Sequence, residues 1–118
     1  MSESRLRVTR EGAVAFVELI GPGGKAVMDD QFFIDLASTT GELDADEAVR
    51  AIVYVGTGGH FSFGLDLGAA AQTFAPLRGA TDAGGRQELL GLIRRWQATL
   101  DVVAKAQTPT VAAITGWC

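Results

Sequence analysis

The 118-residue sequence predicts an α/β fold in which helices cross between the later strands. Three observations carry that expectation. Short apolar runs at residues 5–10, 13–20, 49–55 and 110–114 read as strands. Two stretches, one from Asp29 and one around Leu89, place apolar residues at helical spacing. The resulting order, two strands, a helix, a strand, further helix and a last strand, calls for crossover connections and layered packing.

Leu6 and Val8 alternate with Arg5, Arg7 and Thr9, as in a half-buried strand. Glu11-Gly12 makes a turn into a second strand, with Val14, Phe16 and Glu18 on one side, so the pair reads as a hairpin. Gly21-Pro22-Gly23-Gly24 stops it. From Asp29 or Asp30 as cap, Phe32, Phe33, Leu36 and Ala37 mark a helix that frays near Gly41, followed by an acidic turn from Leu43 to Glu47. The run to Val55 is apolar on both faces, which suits a strand covered on both sides. Leu67 to Phe74 reads as a short helix and Pro76 to Gly85 as irregular and exposed. Leu89, Leu92, Ile93, Trp96, Leu100 and Val103 then form one stripe of a longer helix, which Thr108-Pro109 ends. Thr110 to Ile114 has the composition of a short buried strand, and Thr115 to Cys118 turns away from it.

The length suits one small domain with an adequate core. A net charge of −4 argues against a nucleic-acid binder, which would carry a basic face. The single cysteine, Cys118, permits no intrachain disulfide. The N-terminal residues lack the apolar core of a secretory signal, and no run approaches the ~20 apolar residues of a membrane span. A cytoplasmic protein without membrane partners is the expectation.

The glycine-rich stretch Gly56 to Leu67, after the strand ending at Val55, is the candidate site. Gly64 tolerates positive φ, and Asp66 can cap a following helix whose positive end then faces the loop. Other motifs fail. Gly21 to Ala26 fits a dinucleotide fingerprint, but the helix starts too late, and Gly24-Lys25 lacks the spacing and hydroxyl of a phosphate-binding loop. His60-Phe61-Ser62-Phe63-Gly64 is close to a nucleophile elbow, yet His60 is the only histidine and sits two residues from Ser62, so both read as loop residues with local hydrogen bonds. Glu42, Asp44, Asp46 and Glu47 match no calcium loop, and one histidine with one cysteine supplies too few ligands for a metal. Backbone N–H groups of the glycine loop remain, as donors to an oxyanion.

Phe61-Ser62-Phe63-Gly64-Leu65-Asp66-Leu67 resembles the F-S-A-G-x-D-[LI] signature of the enoyl-CoA hydratase/isomerase (crotonase) superfamily. Gln107 to Gly116 resembles that family's K-P-[VT]-[IV]-A-A-[VI]-x-G, and Val14 to Ile20 with Gly21-Pro22 its opening strand and turn. The likeness runs from about residue 6 to the end. It implies a crotonase-like (ClpP/crotonase) ββα-type layered α/β fold, with residues 1–118 as the N-terminal part of one such domain, incomplete at the C-terminus.

The resemblance also implies an acyl-CoA thioester as partner, with its carbonyl held between two backbone N–H groups as an enolate forms. The first donor would be Phe63, where the family usually has alanine, and Ser62, Phe63, Gly64, Leu65 and Asp66 would lie along the CoA thioester. No separate cofactor is implied, because coenzyme A is part of the substrate. Ala26 stands where the family commonly has asparagine. The second donor, in a G-G-G run, and the acid/base carboxylates would lie beyond Cys118, as would the helical region of the family's trimers or hexamers. Hydration of a 2-enoyl-CoA is the leading expectation. Conversion of a 3,5-dienoyl-CoA to a 2,4-dienoyl-CoA is the alternative, on the likeness of Val27-Met28, Gly64-Leu65-Asp66, Arg94-Arg95-Trp96-Gln97 and Thr115 to Cys118 to that branch. A third reading is a non-catalytic subunit or CoA-binding module, since the chain alone would lack one donor and both carboxylates. The same absence would leave the strand after Pro109 uncovered.

Overall fold

The computed structural model describes residues 4–77 and 82–118. In chain order the elements are β1 (Leu6–Glu11), β2 (Val14–Leu19), β3 (Val27–Met28), α1 (Asp30–Ala45), β4 (Ala51–Gly56), β5 (Gly64–Leu65), α2 (Leu67–Phe74), α3 (Ala83–Ala104) and β6 (Thr110–Ala113). The main sheet has the order β1-β2-β4-β6, and β3 pairs with β5 in a small second ladder. The β1–β2 hairpin is antiparallel, whereas β2, β4 and β6 run parallel. These parallel strands need the helical crossovers that the apolar spacing announced.

The core lies on one face of the sheet. Ala15, Val17 and Leu19 of β2, with Ile52 and Tyr54 of β4, point into it and meet Phe32, Phe33, Leu36 and Leu43 of α1. Val14, Phe16 and Glu18 form the opposite, half-buried row of β2, as strand alternation requires. The expected two-sided cover of β4 is not realised: Ala51, Val53 and Val55 remain half-buried. Both helices that pack near it lie on the Ile52 and Tyr54 side, and among the described residues none crosses the other face. Strand β6 is exposed at every position, because it is an edge strand paired only with β4.

Helix α1 begins where its capping residue predicts. Asp29 Oδ1 accepts the Phe32 N–H at 2.9 Å, satisfying an amide that has no partner within the helix. The same carboxylate takes a forked contact from Arg5, with Nε and Nη2 at 3.0 and 2.9 Å from Oδ2. The helix does not fray at Gly41 but continues to Ala45. Leu43 is only 4% exposed, and its burial in the core outweighs the weak helix propensity of one glycine. The acidic residues beyond it are tied into the fold. Asp44 accepts the Gln107 and Thr108 amides, and Asp46 accepts the Ala48 amide and pairs with Arg10 at 2.7 Å.

Helix α3 starts earlier than expected, with Asp82 accepting the Gly85 N–H at 2.7 Å. The stretch expected to be irregular from Pro76 therefore includes a 3₁₀ turn at Ala75–Leu77 and the first turn of α3, and its residues 78–81 lie outside the described residues. The predicted stripe is only partly inward. Leu92 is buried and Leu89, Trp96 and Val103 half-buried, but Ile93 and Leu100 are exposed. Trp96 stacks on Phe33 at 4.9 Å, and its indole N–H donates to Asp30, so α3 grips α1 along one edge and leaves the rest of the stripe free. Among the described residues no helix is long and apolar enough to cross a membrane.

Two expectations follow. Leu43→Ala should destabilise the chain by roughly 2–5 kcal/mol in urea unfolding, as for a core leucine, because Leu43 belongs to a continued helix. The Asp29 carboxyl is pushed up by burial but held lower still by the Arg5 hydrogen bond, the Phe32 N–H and the Arg5 charge, giving a net fall from 3.8. Its contribution is therefore complete above pH 3.8 and lost as pH falls through the depressed value. Melting temperatures measured from pH 7 down to pH 2.5 should drop steeply below that point, and Asp29→Asn should flatten this acid limb.

Candidate functional site

The parallel direction of β2, β4 and β6 puts their C-terminal ends at one end of the sheet, where open α/β sheets bind ligands. Leu19 pairs with Gly56 and Val55 with Ala113, so the three strands end nearly level. The β3–β5 ladder then joins the chain leaving β2 to the chain leaving β4, with Val27 opposite Gly64 and Met28 opposite Leu65. The predicted loop from Gly56 to Leu67 thus lies between two neighbours.

On one side is the turn after β6. The Phe61 N–H is shared between the Thr115 and Trp117 carbonyls at 2.9 and 3.0 Å, and the Ser62 N–H donates to the Trp117 carbonyl at 3.1 Å. The Trp117 N–H returns a bond to His60 Nδ1 at 3.0 Å. Gly116, at φ +59°, lies so close that a Cβ there would collide with the His60 ring and the Gly59 carbonyl. On the other side, the Phe63 N–H donates to the Ala26 carbonyl and the Asp66 N–H to the Met28 carbonyl, both at 2.8 Å.

This pattern corrects the expected donor. The Phe63 amide is spent on Ala26 and is not presented to a ligand. The Gly64 amide, in a backbone turned to φ +83°, donates to Ser62 Oγ at 3.0 Å. Leu65 lies in β5, paired with Met28 of β3. Asp66 is a helix cap: its Oδ1 accepts the Ala69 N–H at 3.1 Å and starts α2.

The structure places Ser62, Phe63, Gly64, Leu65 and Asp66 together as one short turn. Ser62 is buried and Phe63 is 54% exposed, with its ring against His60 at 5.0 Å. Ser62 makes the expected local hydrogen bond, its Oγ taking the Gly64 amide, whereas His60 Nδ1 takes the Trp117 amide from 57 residues away. Beside the turn a cavity of about 460 Å³ opens between the sheet, α1 and α3. Ser62 and Gly64 line its rim, while Met28, Phe61, Leu100 and Val103 make it apolar. Tyr54 also reaches it. Burial raises the pKa of its phenol, the Thr40 hydrogen bond at 2.7 Å opposes this, and the charge of Asp44 adds to it. Tyr54 is therefore a neutral hydroxyl at ordinary pH. Among the described residues no Asp or Glu lines the cavity, and no cluster of His, Cys, Asp or Glu could hold a metal.

Sequence reasoning gave no part in the site to Ala26 or Trp117. Ala26 and Trp117 act through backbone carbonyls that accept loop amides, which side-chain motifs do not record.

A scan against models of protein families finds no match. Individual proteins do match. The chain is 32% identical over 114 residues to the mitochondrial Delta(3,5)-Delta(2,4)-dienoyl-CoA isomerase of Dictyostelium discoideum, covering 97% of this chain and 39% of that protein. It is 30% identical over 118 residues to the corresponding mitochondrial protein of Homo sapiens, covering 99% and 36% respectively. Its fold matches an enoyl-CoA hydratase/isomerase from Mycobacterium paratuberculosis with a TM-score of 0.72 and 28% identity, over 97% of this chain and 42% of that one. The chain thus spans about two fifths of the length of these relatives. Two are mitochondrial, and a peroxisomal dienoyl-CoA isomerase of Arabidopsis thaliana is 25% identical, which overturns the expected cytoplasmic location. A lone cysteine and the lack of a secretory signal do not distinguish the cytoplasm from other thiol-preserving compartments. In sequence and in fold the chain is thus similar to about two fifths of the length of these enoyl-CoA hydratase/isomerase (crotonase) superfamily proteins.

Proposed function

We propose that the chain contributes to an acyl-CoA thioester site, with the Leu65 N–H as one of the donors to the thioester oxygen. The observation that carries this reading is the Ser62–Asp66 turn beside an apolar cavity, whose Ser62, Phe63, Gly64 and Asp66 amides are each engaged within the fold. An acyl chain in the cavity would leave its thioester at the Ser62 and Gly64 rim. Negative charge on the oxygen would then meet an N–H at no reorganisation cost, an interaction worth about 10²–10³ in rate.

The reaction proposed is isomerisation of a 3,5-dienoyl-CoA to a 2,4-dienoyl-CoA. A proton leaves C2, the electrons delocalise onto the thioester oxygen, and a proton returns at C6. The two relatives at 30% identity or more quoted above are dienoyl-CoA isomerases, which favours this reaction over the hydration of a 2-enoyl-CoA expected first. Hydration is the second reading, favoured by the solved enoyl-CoA hydratase/isomerase at 28% identity. Both reactions need an acid/base group. With Asp66 committed to its cap and no Asp or Glu among the described residues lining the cavity, the 118-residue chain by itself should bind without turning substrate over.

Titrating the ¹⁵N-labelled chain with acetoacetyl-CoA, whose acidic thioester is readily held as an enolate, should move the Leu65 amide resonance most and the Phe63 amide little. A saturable shift at Phe63 with none at Leu65 would reverse the assignment. Incubation with crotonyl-CoA and with a 3,5-dienoyl-CoA should yield no product above background, and rapid turnover by the pure chain would refute the proposed lack of activity.

A further inference from the structure

Among the described residues, the His60 side chain is the one that hydrogen-bonds between the two loops at the end of the sheet. Its Nδ1 accepts the Trp117 N–H across 57 residues of sequence, and its ring packs on Phe63 and against the Gly116 backbone. The loop's own amides, those of Phe61 and Ser62, donate the other way, into the Thr115 and Trp117 carbonyls. Among the described residues, His60 is the side chain that supplies an acceptor to that turn. Acceptance at Nδ1 requires a lone pair there, so the ring is neutral with its proton on Nε2.

We propose that His60 is a positioning residue, which in its neutral form clamps the turn after β6 against the Ser62–Asp66 turn and releases it on protonation. The role is separate from acyl-CoA binding and concerns how the two loops are held in register. Protonation puts a hydrogen on Nδ1, turning the acceptor into a donor that faces the Trp117 N–H. Two donors then oppose each other where one bond stood. The titratable groups of the adjoining elements do not offset this change. Asp66 is occupied with the Ala69 amide, Lys25 is exposed, and neither these nor Cys118 makes a hydrogen bond or ion pair with the imidazole among the described residues. The absent Cβ of Gly116 is what lets the ring approach the turn.

The test uses the ligand-free chain, so its outcome is independent of acyl-CoA binding. Ring resonances of His60 and the backbone amide of Trp117 are followed together by NMR from pH 8 to pH 5, with amide hydrogen exchange corrected for its intrinsic pH dependence. The Trp117 amide should titrate with the same midpoint as the ring, and its protection should fall about tenfold, the equivalent of one hydrogen bond. His60→Asn, whose side-chain oxygen can occupy the place of Nδ1, should keep the protection of the neutral form and abolish its pH dependence. His60→Ala should lose the protection at every pH. A Trp117 amide that ignores the titration of His60, or an Asn variant that retains the pH dependence, would overturn the proposal even if the Ala variant does not fold.

Discussion

Parallel pairing of β4 with β2 on one side and β6 on the other is the constraint on which the site depends. Because the three strands run together and stop level, the chain segments leaving them must emerge side by side. No long-range electrostatic term is needed to assemble the loops. Backbone hydrogen bonds complete the work, from Phe61 and Ser62 toward the turn after β6 and from Phe63 and Asp66 toward the segment after β2. Each bond uses up an amide. The turn's ability to face a ligand is therefore what is left after its structural obligations are met, and a backbone bound on both sides is also preorganised.

The sheet end is supported by a core built on one face. Arg5 lies just before β1, and its fork onto Asp29 ties the start of the sheet to the start of α1. Asp35 of α1 takes the Arg5 backbone N–H at 2.9 Å, so the helix holds this corner twice. Farther along, Thr40 and Tyr54 share a buried hydrogen bond that links α1 to β4 directly below the cavity. A helix anchored at both levels fixes the floor of the cavity, while α3, joined mainly through Trp96 and its neighbours, forms a looser wall.

Much of this was legible in the residues. The hairpin through Gly12, the cap at Asp29 and the helix carrying Trp96 follow from alternation, capping chemistry and periodicity, all of which act within a few residues. The misread features depend on distant partners. Gly41 is a plausible helix end until Leu43 finds its place in the core. The apolar run at β6 has the composition of a buried strand, yet it is exposed throughout, as expected for a strand left uncovered. Phe63 is a reasonable donor until the two-residue β3, which has no sequence signature of its own, brings the Ala26 carbonyl to it. The direction of each amide in the turn is set by pairing with distant segments, which no local pattern encodes.

Phe63 gives up its amide to the neighbouring strand while its ring stands more than half exposed. Main chain and side chain at this position thus answer to different demands. The path of the polypeptide is fixed by a bond any residue but proline could make, so the side chain is open to replacement without disturbing the amides beside it. At such a position the surroundings of the turn can vary while the amides beside it keep their partners.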